Sequence, residues 1–224
     1  MIRVNIITEG QTEETFVRDI LAPEFGTKQI FLTARSVETS RSKSRIYRGG
    51  LLDYEKAKKD ILRWLKQDKD AIVTTMFDLY ALPDSFPLKR ESVTFTDQYK
   101  KVEFLEEQFY NDIQEEFDYP IKFIPYIQLH EFEGLLFSDI EKIHETMKVH
   151  RNKKDDLEQI MSEFGNPELI NERSELAPSK RLLKIYPEYD KITSGSIIAQ
   201  KIGLAKIRNN CKHFQAWLKK IEGL

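Results

Sequence analysis

Acidic side chains follow three predicted strands, at the point where each strand ends. Glu9 comes after the first strand, Asp78 after the third, and Glu131 with Glu133 after the fourth. Because the carboxyl ends of parallel strands meet at one edge of a sheet, we expect these acids at the same edge. Mg²⁺ (or Mn²⁺) takes oxygen ligands, usually one or two carboxylates with water and phosphate completing the shell. A separate carboxylate can serve as a general acid or base.

The same acids have a second interpretation. Each predicted strand is followed by a helix. Acidic side chains near a helix N-terminus accept hydrogen bonds from its unpaired N–H groups and interact favourably with its dipole. Any one of these acids could therefore be a helix cap, and the sequence leaves both interpretations open.

Two further residues are expected to support the acidic site. Glu13 lies in the first turn of the first predicted helix, and His130 directly precedes Glu131. His130 could orient a carboxylate or, when protonated, bind a phosphate. It could equally be a partly buried histidine packed among aromatic neighbours.

Alternating strands and helices position these residues. Short apolar runs rich in β-branched residues predict strands, and apolar residues at helical spacing predict helices. The strands are predicted at 2–8, 29–36, 71–77 and 121–127, and the helices at 11–21, 52–66, 97–117 and 132–137. We expect Pro23 to end the first helix. This alternation predicts an α/β fold with a mainly parallel, four-stranded sheet flanked by helices.

Beyond residue 138 no strand is predicted, only short helices separated by Gly and Pro. We therefore expect an α/β domain at 1–137. A helical C-terminal region at 138–224 is expected to pack on the same core.

Two basic segments could contact a nucleic-acid backbone, because Lys and Arg supply most of the non-specific affinity for phosphate. The first is a predicted loop at 38–50, which contains Arg41, Lys43, Arg45 and Arg48. The second, Lys180 with Arg181, lies at a predicted helix start. In both segments the alternative is an ordinary exposed basic surface.

Composition sets outer limits on function. The chain has 224 residues, a formal net charge of −2 and one cysteine, Cys211. A single cysteine excludes an intrachain disulfide and a Cys-based zinc cluster, which favours the reducing cytoplasm. The sequence has neither a signal-peptide pattern nor an apolar run of the ~20 residues that a membrane helix needs. We therefore expect a cytoplasmic protein with no membrane partner.

Several motifs resemble a known family. Glu9-Gly10 followed by Thr12-Glu13 is similar to the first motif of Toprim domains, and Asp78 after a hydrophobic strand to the first acid of their second motif. More specifically, the chain resembles a bacterial Toprim-like family called domain of unknown function 4276. That resemblance spans nearly the whole chain and is carried by the segments MFDLYALP, FIPYIQLHEFEGLLF, PSKRL and CKHFQAWL.

The resemblance implies a Toprim-like fold and a metal-dependent enzyme that hydrolyses phosphodiesters in DNA or RNA. By position, Glu9 would be a general acid/base or a metal ligand, and Asp78 a Mg²⁺ ligand. Tyr80 stands where Toprim domains usually carry a second acid. Glu131 or Glu133 would replace that acid, or the site would hold a single metal, or catalysis would be lost.

The family analogy also implies an effector in bacterial anti-phage defence that works with an ABC-type ATPase. Two alternatives stay open. One is a non-catalytic module that binds nucleic acid or protein, and the other is a small-molecule phosphatase.

Overall fold

A computed structural model describes residues 1–41, 46–48, 51, 53–147, 153–170 and 176–224. The chain forms two compact units. The first comprises Met1–Ile127 with Glu222–Leu224, and the second comprises Gln128–Ile221. The boundary expected from the sequence was at 137/138.

Within the described residues, seven strands form two sheets. They are β1 (Ile2–Thr8), β2 (Ile30–Ser36), β3 (Glu38–Arg41), β4 (Ile46–Arg48), β5 (Ile72–Asp78), β6 (Phe123–Ile124) and β7 (Ile127–Gln128). The main sheet has the order β2-β1-β5-β6, and β7 also pairs with β5. The pairings β1–β2, β1–β5 and β5–β6 are all parallel. The predicted α/β fold with a mainly parallel sheet is therefore confirmed.

β5 is buried along its whole length. A strand that is covered on both faces needs a continuous apolar or β-branched sequence, and IVTTMF before Asp78 satisfies that need. β1 beside it is buried from Ile6 to Thr8, toward its carboxyl end. These two central strands place their carboxyl ends side by side.

Helices follow the strands and make up most of the second unit. They are α1 (Gln11–Phe16), α2 (Ala22–Gly26), α3 (Tyr54–Gln67), α4 (Gln98–Gln114), α5 (Glu133–Leu136), α6 (Ile140–Met147), α7 (Lys154–Phe164), α8 (Pro178–Ile185), α9 (Thr193–Ile202), α10 (Leu204–Asn210) and α11 (Lys212–Glu222). Beyond residue 138 the described part of the chain contains no strand, as predicted. In that described part, each helix is too short or too polar to cross a membrane.

The first helical segment is longer than predicted. α1 continues into a π-helical turn at Val17–Leu21 and then into α2, so Pro23 does not end it. Pro23 instead lies in the first turn of α2, where a missing N–H group costs little. In the wider turn before it, the Ala22 N–H donates to the Val17 carbonyl five residues back.

The fourth predicted strand is split into β6 and β7. Pro125 lies between them and has no N–H group to donate to a neighbouring strand. The hydroxyl of Thr75 bridges the gap, because it accepts from the Tyr126 N–H and donates to the Tyr126 carbonyl, both at 2.9 Å. The N–H of Ile127 donates at 2.9 Å to a carboxylate oxygen of Glu106, a buried residue of α4. Side chains thus replace the interrupted backbone ladder.

The prediction of a loop at 38–50 is wrong in part, because β3 and β4 pair as an antiparallel hairpin. The low apolar content of this segment concealed the hairpin. Arg41 and Arg48 are the end residues of the two strands. Lys43 and Arg45 lie outside the described residues.

Candidate active site

Glu9 and Asp78 meet at the carboxyl ends of the two central strands. β1 and β5 are parallel neighbours, with Thr8 opposite Met76. The Glu9 N–H donates to the Met76 carbonyl at 3.2 Å, which extends the ladder one residue past β1. Two residues further along β5, the Asp78 N–H donates to Glu9 Oε2 at 3.2 Å. The acids predicted after the first and third strands therefore lie at adjacent strand ends.

The cap interpretation does not account for this pair. Asp78 precedes a 3₁₀ turn at Leu79–Ala81, and within the described chain its side chain makes no capping hydrogen bond there. Glu9 accepts from the N–H group of Asp78 at the end of β5. Asp78 is buried and Glu9 partly exposed, so the pair is reachable from solvent through Glu9.

Glu13, in contrast, is a helix cap. Its Oε2 accepts from the Gly10 N–H at 3.0 Å, and the residue is buried. A Cβ at Gly10 would lie 3.3 Å from that same oxygen, so glycine leaves room for the carboxylate. Glu13 therefore fixes the backbone directly after Glu9. Its support of the acid pair is structural.

Glu14 is a site-edge residue that the sequence did not single out. Its Oε2 accepts from the Ser36 hydroxyl at 2.6 Å and from the Ser36 N–H at 3.2 Å. The Ser36 hydroxyl is also 3.4 Å from that of Thr8. These bonds tie α1 to the carboxyl ends of β1 and β2. An acid in the first turn of a helix was visible in the sequence, but its partner lies 22 residues away.

Glu131 and Glu133 belong to the second unit. Glu131 Oε2 accepts from the N–H of Ser179 at 3.1 Å, in the first turn of α8. For Glu131 the cap interpretation is therefore realised, on a helix 48 residues further along the chain.

Glu133 is almost completely enclosed, with 1% of its surface exposed. Its two oxygens contact the Tyr189 hydroxyl at 3.4 Å and the Lys191 ammonium at 3.2 Å. The pKa of Glu133 is raised to about 7; burial is the largest cause, Lys191 acts in the opposite direction, and the charge of Glu131 also raises the pKa. Burial, with the negative charge of Glu133, also raises the pKa of Tyr189.

His130 is buried and has a φ of +64°, in the left-handed region. A non-glycine residue in this region is uncommon and is associated with tight turns and functional sites. The turn lets the chain leave β7 and enter α5 within a few residues.

The two residues of the second predicted basic segment, Lys180 and Arg181, have different environments. Lys180 is exposed on α8. Arg181 donates to the Leu176 carbonyl at 2.7 Å, and its guanidinium lies 4.8 Å from the centre of the Phe164 ring. Arg181 thus stabilises the entry to α8, whereas Lys180 projects into solvent.

The Glu9–Asp78 pair supplies two carboxylates, the type of ligand that a divalent cation prefers. Among the described residues, no group of three or more His, Cys, Asp or Glu side chains is placed to hold a metal. Two carboxylates are nevertheless a usual protein contribution to a Mg²⁺ shell, in which water and phosphate supply the other oxygens. Tyr80, at the position of the missing acid, is 37% exposed. Any cation held by this pair would therefore need most of its oxygen ligands from other groups, such as water or phosphate.

Comparison with known proteins identifies the family. Residues 8–222 match the family described as Domain of unknown function (DUF4276), and the chain belongs to it. No curated protein matches the sequence. Among solved structures, the chain is similar to the C-terminal region of the Burkholderia pseudomallei OLD protein, with a TM-score of 0.43 and 16% identity. That similarity covers 94% of this chain and 95% of the other.

Proposed function

We propose that this protein is a Mg²⁺- or Mn²⁺-dependent nuclease that hydrolyses phosphodiester bonds in nucleic acid. The supporting observation is the pair Glu9 and Asp78, joined by the 3.2 Å bond from the Asp78 N–H at the carboxyl ends of adjacent parallel strands. This edge is the usual ligand site of open α/β sheets. The Toprim-like motifs around both residues support the same activity.

In this proposal Asp78 and Glu9 hold the cation. When bound, the metal would activate water and stabilise negative charge on phosphate. The Asp78 N–H orients the Glu9 carboxylate, and the Glu13 cap fixes the backbone beside it. Glu9 therefore needs little rearrangement to act as ligand or general base.

Glu131 and Glu133 are proposed as further ligands, with different requirements. Glu131 would have to share its carboxylate with the first turn of α8. Glu133 would have to lose a proton that burial retains up to about pH 7. Binding through Glu133 should therefore strengthen as pH rises through 7.

The test is cleavage of single- and double-stranded DNA and RNA with Mg²⁺ or Mn²⁺. We expect Glu9→Gln and Asp78→Asn to lower the rate at least about 100-fold, the scale typical of a lost acid–base or ligand group. The matched control is Glu24→Gln, the same chemical change at an exposed position of α2. An ABC-type ATPase, the partner that the family resemblance suggests, forms a second arm. Equal rates in wild type, Glu9→Gln and Asp78→Asn would overturn the proposal.

A non-catalytic binding module is the second candidate. The observation that favours it is Tyr80 in place of an acid, together with the lack of a three-acid cluster among the described residues. Mn²⁺ titration followed by calorimetry separates the two candidates. Binding that disappears in Asp78→Asn supports the enzyme, and no binding at millimolar Mn²⁺ supports the module.

A further inference from the structure

A polar groove lies between α3 and the outer strand β2, in the first unit. Its cavity volume is about 520 Å³. We call it the Trp64 groove; its lining includes Ile7, Arg35, Asp60, Arg63 and Trp64. None of the residues assigned above to metal binding or catalysis lines this groove.

The groove combines an aromatic surface with positive charge. The guanidinium of Arg35 lies 5.3 Å from the centre of the Trp64 ring. Arg63 pairs with the buried carboxylate of Asp60 at 3.0 Å and keeps 39% of its side chain exposed. Two guanidinium groups against one carboxylate leave a net positive charge. Such a surface suits a ligand with both a planar ring and an anionic group.

The groove leads to the acid pair. Ile7 lies opposite Arg35 in the parallel register of β1 and β2. Glu9 is two residues beyond Ile7, which corresponds to about 7 Å along a strand and to the same face of the sheet. A ligand in the groove that extends past Ile7 would therefore approach Glu9.

The same face of β2 extends the surface in the other direction. Phe31, Thr33 and Arg35 alternate along this strand, and all three are exposed. Phe31 is 46% exposed and lies about 13 Å from Arg35 along the strand. An exposed phenylalanine on a sheet face provides a second flat surface in line with the groove. One mononucleotide would not reach both, whereas a short strand would.

We infer that the Trp64 groove binds single-stranded nucleic acid, with a base stacked on the Arg35–Trp64 pair and phosphate neutralised by Arg63. This inference rests on the proposed nuclease function for its link to Glu9. Single strands are favoured over duplexes because stacking on a protein side chain needs unpaired bases. Single-stranded DNA and RNA both offer unpaired bases and phosphates, and the binding test below compares the two.

The test measures binding without cleavage, by fluorescence anisotropy of labelled oligonucleotides in EDTA. The probes are twelve-nucleotide oligo(dT), oligo(U) and a DNA duplex of equal length. We expect oligo(dT), oligo(U) or both to bind more tightly than the duplex. Arg35→Ala and Trp64→Leu should each raise the dissociation constant about tenfold, whereas Trp64→Phe should retain most of the affinity. Arg63→Ala, which removes the proposed phosphate contact, should reduce the slope of log affinity against log salt by about 0.7.

Lys59→Ala is the matched control, because it removes an exposed positive charge from α3 without changing a residue of the groove lining. A loss with Lys59→Ala equal to that with Arg35→Ala would overturn the inference, as would equal binding of the duplex. Cleavage assays keep the two proposals apart. Groove-dependent binding without metal-dependent cleavage would refute only the nuclease. Cleavage that Arg35→Ala and Trp64→Leu leave unchanged would refute only the groove.

Discussion

Burial of Glu133 should make the stability of the second unit depend on pH near neutrality. The carboxyl group is 1% exposed and contacts Tyr189 and Lys191. Burial is the largest cause of its raised pKa, with a further contribution from the charge of Glu131. The Lys191 ammonium compensates only in part, because it is itself 46% exposed. The perturbation is Glu133→Gln, which keeps the size and removes the titration.

The magnitude and sign follow from the two pKa values. The pKa of Glu133 rises from its ordinary 4.5 to about 7 on folding. Below pH 4.5 the group is protonated in both states and costs nothing. As pH rises from 4.5 to 7 the unfolded chain releases the proton while the folded unit retains it, so unfolding becomes more favourable. The wild type should lose about 3 kcal/mol relative to Glu133→Gln across this range, with no further loss above it.

The assay is urea unfolding at a series of pH values from 4 to 8.5. Trp217 on α11 is 2% exposed and belongs to the same unit as Glu133. The only other tryptophan is Trp64. A Trp64→Phe background therefore makes fluorescence report on Trp217 alone.

Two further variants test the cause. Lys191→Met removes the compensating charge, so it should enlarge the loss and move its end above pH 7. Glu188→Gln changes an exposed glutamate in the same unit and should follow the wild type. A difference between wild type and Glu133→Gln that stays constant from pH 4 to 8.5 would refute the argument from burial.

Two other variants test how side chains satisfy buried backbone groups. Glu168 is fully buried and accepts from the N–H groups of His213 and Phe214 at 3.0 and 2.9 Å, at the start of α11. Glu168→Ala should therefore cost about 3–5 kcal/mol in urea unfolding, and Glu168→Gln should cost less. Equal costs for the two variants would contradict a charged cap. Thr75→Val should cost about 2–3 kcal/mol of unfolding free energy because it removes both hydrogen bonds to Tyr126. Thr75→Ser keeps the hydroxyl and should cost less. Unchanged stability in Thr75→Val would contradict the bridging role.

The sequence predicted the central sheet well because its strands obey local rules. β5 is an unbroken apolar and β-branched run, and β1 is almost as apolar. Each strand end was marked by a change to polar residues at Glu9 or Asp78. Since parallel strands share an edge, local information was sufficient to bring these two acids together.

The prediction of a break at Pro23 was wrong because proline is unfavourable inside a helix but is tolerated in the first turn, where the N–H group that it lacks would have no helical partner. The sequence does not reveal the π-helical turn that precedes it. The fourth strand was predicted as continuous because its apolar run is continuous. Its interruption depends on Pro125 together with the hydroxyl of Thr75, which is 51 residues from Tyr126 in the chain.

The role of each acid depends on which N–H group it accepts from, and that partner is seldom local. Glu13 accepts from Gly10 three residues away, so its capping role was within reach of a sequence pattern. Glu131 and Glu168 cap helices whose first turns lie 48 and 45 residues away. No spacing rule connects residues so far apart. Charge alone therefore could not distinguish these caps from ligands.

Glu9 differs from all three caps in the kind of group that it contacts. Its partner is the N–H at the end of a neighbouring strand, on the residue that carries the second carboxylate. A cap neutralises its charge against a helix dipole, whereas Glu9 accepts from the backbone of the residue that carries the second predicted carboxylate. A cation beside two neighbouring carboxylates lowers the repulsion between them. Of the four predicted acids, Glu9 and Asp78 follow adjacent parallel strands, so this pair is where the metal-binding proposal should be tested first.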